Sequence, residues 1–184
     1  MAAQDLRRLF FALWPSESMR AALAAASGEA RAALAEARLI PARDWHLTLA
    51  FLGSVAGSAL ESVSRAAHEV AHQVRVGGRI EVRLDRVECW AKPQLACATA
   101  SAASPAAAEP AQALHAALLG VGFAPDLKPF RVHVTLARKV LKCPPALALS
   151  PVEWSFSEFA LIDSRAAPSG SLYSVLATWP LDGA

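Results

Sequence analysis

The chain has 184 residues, 54% of them hydrophobic and 18% charged, with a formal net charge of +2. That length suits one domain, or two small lobes around one core, and so much apolar content excludes global disorder. A balance this near neutrality excludes an all-over basic nucleic-acid binder, so any patch that meets phosphate has to be local.

In chain order, Leu9 to Trp14 is a short apolar run closed by Pro15, the pattern of a buried strand. Ser16 is placed to cap a following alanine-rich helix, with Glu17 in its first turn, and that helix is expected to run to about Arg38. Pro41 breaks the chain before a strand from Trp45 to Leu52. Leu60, Val63, Ala67, Val70 and Val74 recur at helical spacing, which predicts an amphipathic helix over Ser58 to Arg75, ended by Gly77 and Gly78. Two strands, Ile80 to Trp90 and Gln94 to Ser101, are expected to meet near Lys92-Pro93. A helix from Pro105 to Val121 would bury Leu114, Leu118 and Val121, and a strand follows from Phe130 to Lys139. The tail reads as a hairpin of Trp154 to Ile162 and Leu172 to Trp179, turning around Pro168 to Gly170.

The residues His46-Leu47-Thr48-Leu49 and His133-Val134-Thr135-Leu136 sit in two of these strands, 133 − 46 = 87 positions apart. With five histidines and four threonines in the chain, random placement yields only about 0.1 H-x-T occurrences (5 × 4/184), so two, both followed by leucine, are not accidental. The spacing suggests an internal duplication and an α+β architecture of two similar lobes, each a small sheet backed by helices. Side chains alternate along a strand, so His46, Thr48 and Ala50 are expected on one face and Leu47, Leu49 and Phe51 on the other. In the second copy, His133, Thr135 and Ala137 are expected to share a face opposite Val132, Val134 and Leu136. Arg138 follows the second motif with Lys139, and an ideal strand would aim Arg138 away from His133. It reaches the histidine face only if the strand is bulged or ends there.

Other polar residues carry less. Arg43, Lys128 and Arg131 lie near the motifs and read as solvated surface that can steer an anion. Trp45, Trp90 and Tyr173 are candidate ligand-stacking platforms, with a core role favoured for each. His68-Glu69-Val70-Ala71-His72 matches the H-E-x-x-H of zinc proteases. Both histidines, however, fall far around the helix from its apolar stripe, and no third ligand is evident, so no metal is expected. His115 reads as an ordinary flank residue of its helix. Cys89, Cys97 and Cys143 form no C-x-x-C and read as small reduced core residues. No apolar run approaches the roughly 20 residues of a membrane helix, and Met1 to Arg8 lacks the order of a signal peptide. These features lead to the expectation of a cytoplasmic protein without membrane contact.

The tandem motifs resemble those of the 2H phosphoesterases, and within them the bacterial and archaeal RNA 2′,3′-cyclic phosphodiesterases, the 2′-5′ RNA ligase-like family. The resemblance covers nearly the whole chain: Arg8 to Leu13, His46 to Gly53, Phe130 to Arg138 and Tyr173 to Leu181. One departure is Val132, where the family usually has proline. The resemblance implies two pseudo-symmetric antiparallel sheets forming a central groove with helices outside, in a single domain of two interleaved lobes each carrying one motif. It further implies His46 as proton donor and His133 as proton acceptor in opening a 2′,3′-cyclic phosphate to a 2′-phosphate. Thr48, Thr135 and Arg138 would bind the phosphate, with no cofactor and no metal. The partner implied is an RNA with a 2′,3′-cyclic phosphate end, acted on by a monomer; the same two groups would serve a reversible 2′-5′ ligation. Two alternatives stand beside this reading. One is a phosphodiesterase on a small cyclic or 2′-5′-linked nucleotide, and the other is an RNA-binding module without turnover.

Overall fold

The computed structural model describes residues 6–74, 78–124, 129–145, 147–167 and 170–181. The expectations for Arg75, Gly77, Lys128 and the turn at Pro168 lie outside them.

Strand β1 (Leu6–Leu13) ends at Pro15, and Ser16 caps helix α1 (Glu17–Ala26), its hydroxyl accepting from the Met19 amide at 3.3 Å. The expected single helix to Arg38 is instead interrupted and shortened. Buried Ser27 donates its hydroxyl to the Leu23 carbonyl at 2.6 Å, helix α2 (Gly28–Ala33) restarts after it, and the chain straightens into β2 (Arg38–Leu39). A serine bonded back to the preceding turn followed by glycine is a recognised way to bend and break a helix. After a 3₁₀ turn at Ala42–Asp44 comes β3 (Leu47–Ala56), then helix α3 (Leu60–Gln73), with Val63, Ala67 and Val70 buried as their spacing requires.

The expected strand from Ile80 to Trp90 is two strands in different sheets, β4 (Ile80–Leu84) and β5 (Arg86–Trp90). Asp85 is the hinge: its carboxylate accepts from the Ser101 amide at 2.9 Å and the Ser101 hydroxyl at 2.5 Å, while its own amide donates to the Thr99 carbonyl at 3.0 Å. Next come β6 (Leu95–Thr99), helix α4 (Pro105–Gly120) and β7 (His133–Arg138). In α4, Leu114 and Leu118 are buried, whereas Val121 lies past the helix end and is exposed. The expected Trp154 to Ile162 strand likewise divides at Ser157 into β8 (Val152–Phe156) and β9 (Glu158–Ala167), and β10 (Gly170–Pro180) completes the hairpin with β9.

The fold is α+β. One 4-stranded antiparallel sheet has the order β10-β9-β1-β3 and the other β2-β7-β6-β5, with β4 and β8 as a separate pair. Each of the larger sheets includes, or directly follows, one histidine motif. Their back faces, with Leu9, Phe11 and Leu47 from one and Val134 and Leu136 from the other, join Leu23, Val63, Val70, Leu114 and Leu118 of the helices in one core. The two front faces are thereby left to line a groove.

Both motif strands are bulged at the same place. Ala12 pairs with Thr48 and Phe11 with Ala50, so Leu49 is an extra residue on β3. Cys97 pairs with Thr135 and Ala96 with Ala137, so Leu136 is the extra residue on β7. A bulge of one residue reverses the alternation beyond it. Ala50 and Ala137, expected beside the histidines, therefore turn to the back and are buried, while Phe51, expected at the back, comes to the groove side.

Two of the three cysteines also depart from expectation. Cys97 is free and buried, but Cys89 and Cys143 are joined by a disulfide, because the end of β5 and the loop after β7 bring their Cα atoms to 5.9 Å.

Candidate active site

His46, which immediately precedes β3, and His133, which opens β7, line one cleft together with Thr48, Thr135 and Arg138. The bulge at Leu136 is what admits Arg138, which simple alternation would have turned to the back. The five candidate residues are thus brought together.

The two imidazoles are held in the same way. His46 Nδ1 lies 2.7 Å from the Asp44 carbonyl, and His133 Nδ1 lies 2.9 Å from the Arg131 carbonyl. A carbonyl can only accept, so Nδ1–H donates in each ring and Nε2 is the nitrogen left for chemistry. Around His46, Trp14 stacks at 5.6 Å between ring centroids, Phe10 packs at 4.8 Å and Tyr173 meets it edge-on at 5.3 Å. Trp90 packs at 4.9 Å from the His133 ring. Trp90 and Tyr173 are therefore half-buried groove residues, contrary to the core role favoured for them, and only Trp45 is fully buried.

This packing lowers both imidazoles. Burial is the main cause at His46, brought down to about 4 against the opposing Asp44 carbonyl, with the charges of His133, Arg138 and Arg20 pushing the same way as burial. His133 is also lowered, again chiefly by burial, with its bond to the Arg131 carbonyl opposing and the Arg131 charge adding to it. Thr135 has a supporting neighbour: burial pushes the Cys97 thiol up to about 12, so it stays protonated and lies 4.0 Å from Thr135 Oγ1 as a weak donor. The threonine hydrogen remains available to the cleft.

From His46 the cleft opens into a cavity of about 350 Å³, where Phe51 and Arg8 meet, with the Arg8 guanidinium 5.0 Å over the ring. Arg38 lines the same cavity. Arg43 is exposed beside Asp44, and Arg131 is bound to Glu88 at 2.9 Å over the Trp90 ring rather than free. Sequence reasoning missed Trp14, Phe51 and Arg38. Trp14 sat at a strand end with no partner to suggest it, Phe51 required the bulge, and Arg38 was assigned to a helix.

The H-E-x-x-H histidines stand on the exposed face of α3 with their Nε2 atoms 3.1 Å apart, remote from the cleft lining. Among the described residues no group of three or more His, Cys, Asp or Glu is placed to hold a metal ion. No described helix is long and apolar enough to cross a membrane.

Paired H-x-T strands facing a common groove are the architecture of a two-histidine phosphoesterase. The chain belongs to the 2′-5′ RNA ligase superfamily, whose family model matches residues 16–168. A relative from Thermus thermophilus, an RNA 2′,3′-cyclic phosphodiesterase, is 33% identical over 96% of this chain and 91% of its own. The solved structure of TT0787, also from Thermus thermophilus, is similar with a TM-score of 0.75 at 28% identity, covering 96% of this chain and 98% of that one. E. coli LigT complexed with 3′-AMP shares the fold, with a TM-score of 0.77 at 24% identity over 96% of this chain and 99% of that one.

Proposed function

We propose that this protein hydrolyses RNA 2′,3′-cyclic phosphate ends to 2′-phosphomonoesters, using His46 and His133 as its acid–base pair. The observation that carries the reading is the pair of imidazoles in one cleft, each tied at Nδ1 to a carbonyl and left with Nε2 to exchange protons. The Thermus thermophilus relative, an RNA 2′,3′-cyclic phosphodiesterase, supports the substrate class.

Displacement at phosphorus is in line, so the base and the acid must stand on opposite sides of the phosphate. His133 takes a proton from water, whose oxygen bonds to phosphorus. The P–O3′ bond breaks, and His46 gives its Nε2 proton to the departing 3′-oxygen. Thr48 and Thr135 hydroxyls and the Arg138 guanidinium donate to the non-bridging oxygens, where charge accumulates. In the unliganded protein both imidazoles lean to the neutral form; an anionic phosphate between them favours protonation, which readies His46 as donor. Run backwards, the same groups with exchanged roles would seal a 2′-5′ bond.

In this reading the two larger sheets are the halves of one duplicated domain, the working form is a monomer, and neither metal nor cofactor takes part. In the same reading the protein is cytoplasmic, where the Cys89–Cys143 bond would be uncommon. The test is turnover of a short RNA ending in 2′,3′-cyclic phosphate, with the product resolved as 2′- or 3′-phosphate, beside a 2′-5′-linked dinucleotide. Release of 2′-phosphate is expected; binding without turnover, or turnover of the 2′-5′ linkage alone, would displace this reading.

A further inference from the structure

Arg38 and Arg138 stand directly opposite each other across the antiparallel β2–β7 pair. Opposed residues of such a ladder put their Cβ atoms about 5 Å apart on one face, and like charges so placed destabilise it. Neither guanidinium has a carboxylate or hydrogen-bond partner among the described residues, and Asp44, the carboxylate in the same lining, is engaged by Arg43 and Arg20. Two unneutralised guanidiniums facing a cavity are the arrangement an anion makes favourable.

The two arginines are not equivalent. Arg138 lines both the narrow cleft between the histidines and the larger cavity, whereas Arg38 and Arg8 line only the larger cavity. Arg138 is thus at the reacting phosphate, and the remaining cations serve something beyond it. The other side of the cleft differs: there the Arg131 charge is already answered by Glu88. A 2′,3′-cyclic phosphate ends its chain, so the neighbouring phosphate of an RNA lies on the 5′ side.

We propose that Arg38, with Arg8 in the same cavity, forms a second anion subsite that binds the phosphodiester 5′ to the reacting cyclic phosphate. The preferred substrate is then an RNA end of two or more nucleotides, its chain leaving on the His46 side. The proposal rests on the reading of the cleft as a cyclic-phosphate site.

The test compares a diadenosine dinucleotide ending in 2′,3′-cyclic phosphate with adenosine 2′,3′-cyclic phosphate, which lacks the second phosphate. The unsubstituted protein should show the lower KM for the dinucleotide. Arg38→Ala should erase about 10- to 100-fold of that preference, the scale of a lost charge-assisted contact, with Arg38→Lys recovering part of it. If Arg38→Ala does not fold, Arg38→Gln replaces it. A KM rise shared equally by both substrates, or no change in their ratio, overturns the subsite. Should the unsubstituted protein turn over neither substrate, the phosphodiesterase reading falls on its own. Dissociation constants for the two matching 2′-phosphates, read by tryptophan fluorescence, then decide: lost dinucleotide preference in Arg38→Ala supports the subsite, and retained preference overturns it.

Discussion

Mild acid should destabilise this protein, because His46 is packed as a neutral imidazole. Its folded value of about 4 lies below the ordinary 6.5, which the unfolded chain regains. Between those values the unfolded state binds a proton that the folded state refuses, so stability is intact above pH 6.5 and falls as pH drops toward 4. The full gap corresponds to about 3 kcal/mol. Because the ring keeps an edge open to the cleft, water screens part of it, and about 1–2 kcal/mol by pH 5 is the working figure. His133 is lowered in the same direction and adds to the loss. Asp85 and Glu88, held below their ordinary 3.8 and 4.5 by their hydrogen bonds and neighbouring arginines, contribute only at lower pH. Urea unfolding followed by tryptophan fluorescence at pH 7.5, 6.5, 5.5 and 5.0 measures the effect, for the unsubstituted protein and for His46→Gln. The variant should lose about 1 kcal/mol less than its parent over that range. Equal losses in the two proteins would refute the burial argument.

His46→Ala or His133→Ala should each lower kcat on an RNA cyclic phosphate by about 10²–10⁴ in a protein that still folds at pH 7.5. Thr48→Ala or Thr135→Ala should cost about 10–10³ in the same assay, since each removes one donor to developing charge. Turnover should follow a bell in pH, and in either histidine variant one limb of the residual activity should flatten; unchanged limbs in both would remove the pair from the proton transfers. Activity should persist in excess chelator, and His68→Ala with His72→Ala should leave it within about twofold; loss to chelator with recovery on adding zinc would return those histidines to the mechanism.

Most of the site was legible because H-x-T-L is a statement about strand faces, and alternation alone puts each histidine beside its threonine. What alternation could not supply was the phase beyond the motif. It assigned Ala50 and Ala137 to the groove and Phe51 to the back, and each assignment failed at the bulges on Leu49 and Leu136. The requirement for a bulge or strand end could be stated for Arg138 because the family resemblance implied a role in the cleft that simple alternation denied it; Phe51 raised no such conflict. Sheet membership was hidden for a different reason. Asp85 and Ser157 break long β-like runs where a strand changes partner, and nothing in the local pattern separates a strand that continues from one that crosses to another sheet. The Cys89–Cys143 contact depends on the end of β5 and a loop 54 residues further on, which spacing alone does not bring together.

The doubled bulge gives each motif a three-point grammar with an odd last step: 46, 48 and 51 in one copy, 133, 135 and 138 in the other. A regular strand would offer 46, 48 and 50. The odd slot is where the two halves differ in chemistry, an aromatic ring in one and a guanidinium in the other, while the imidazole and hydroxyl slots match. Grafting such a site onto another antiparallel ladder therefore means carrying over the supernumerary leucine as well as the three groove side chains. Without it the histidine and threonine would arrive in place, and the third group would be delivered to the wrong side of the sheet.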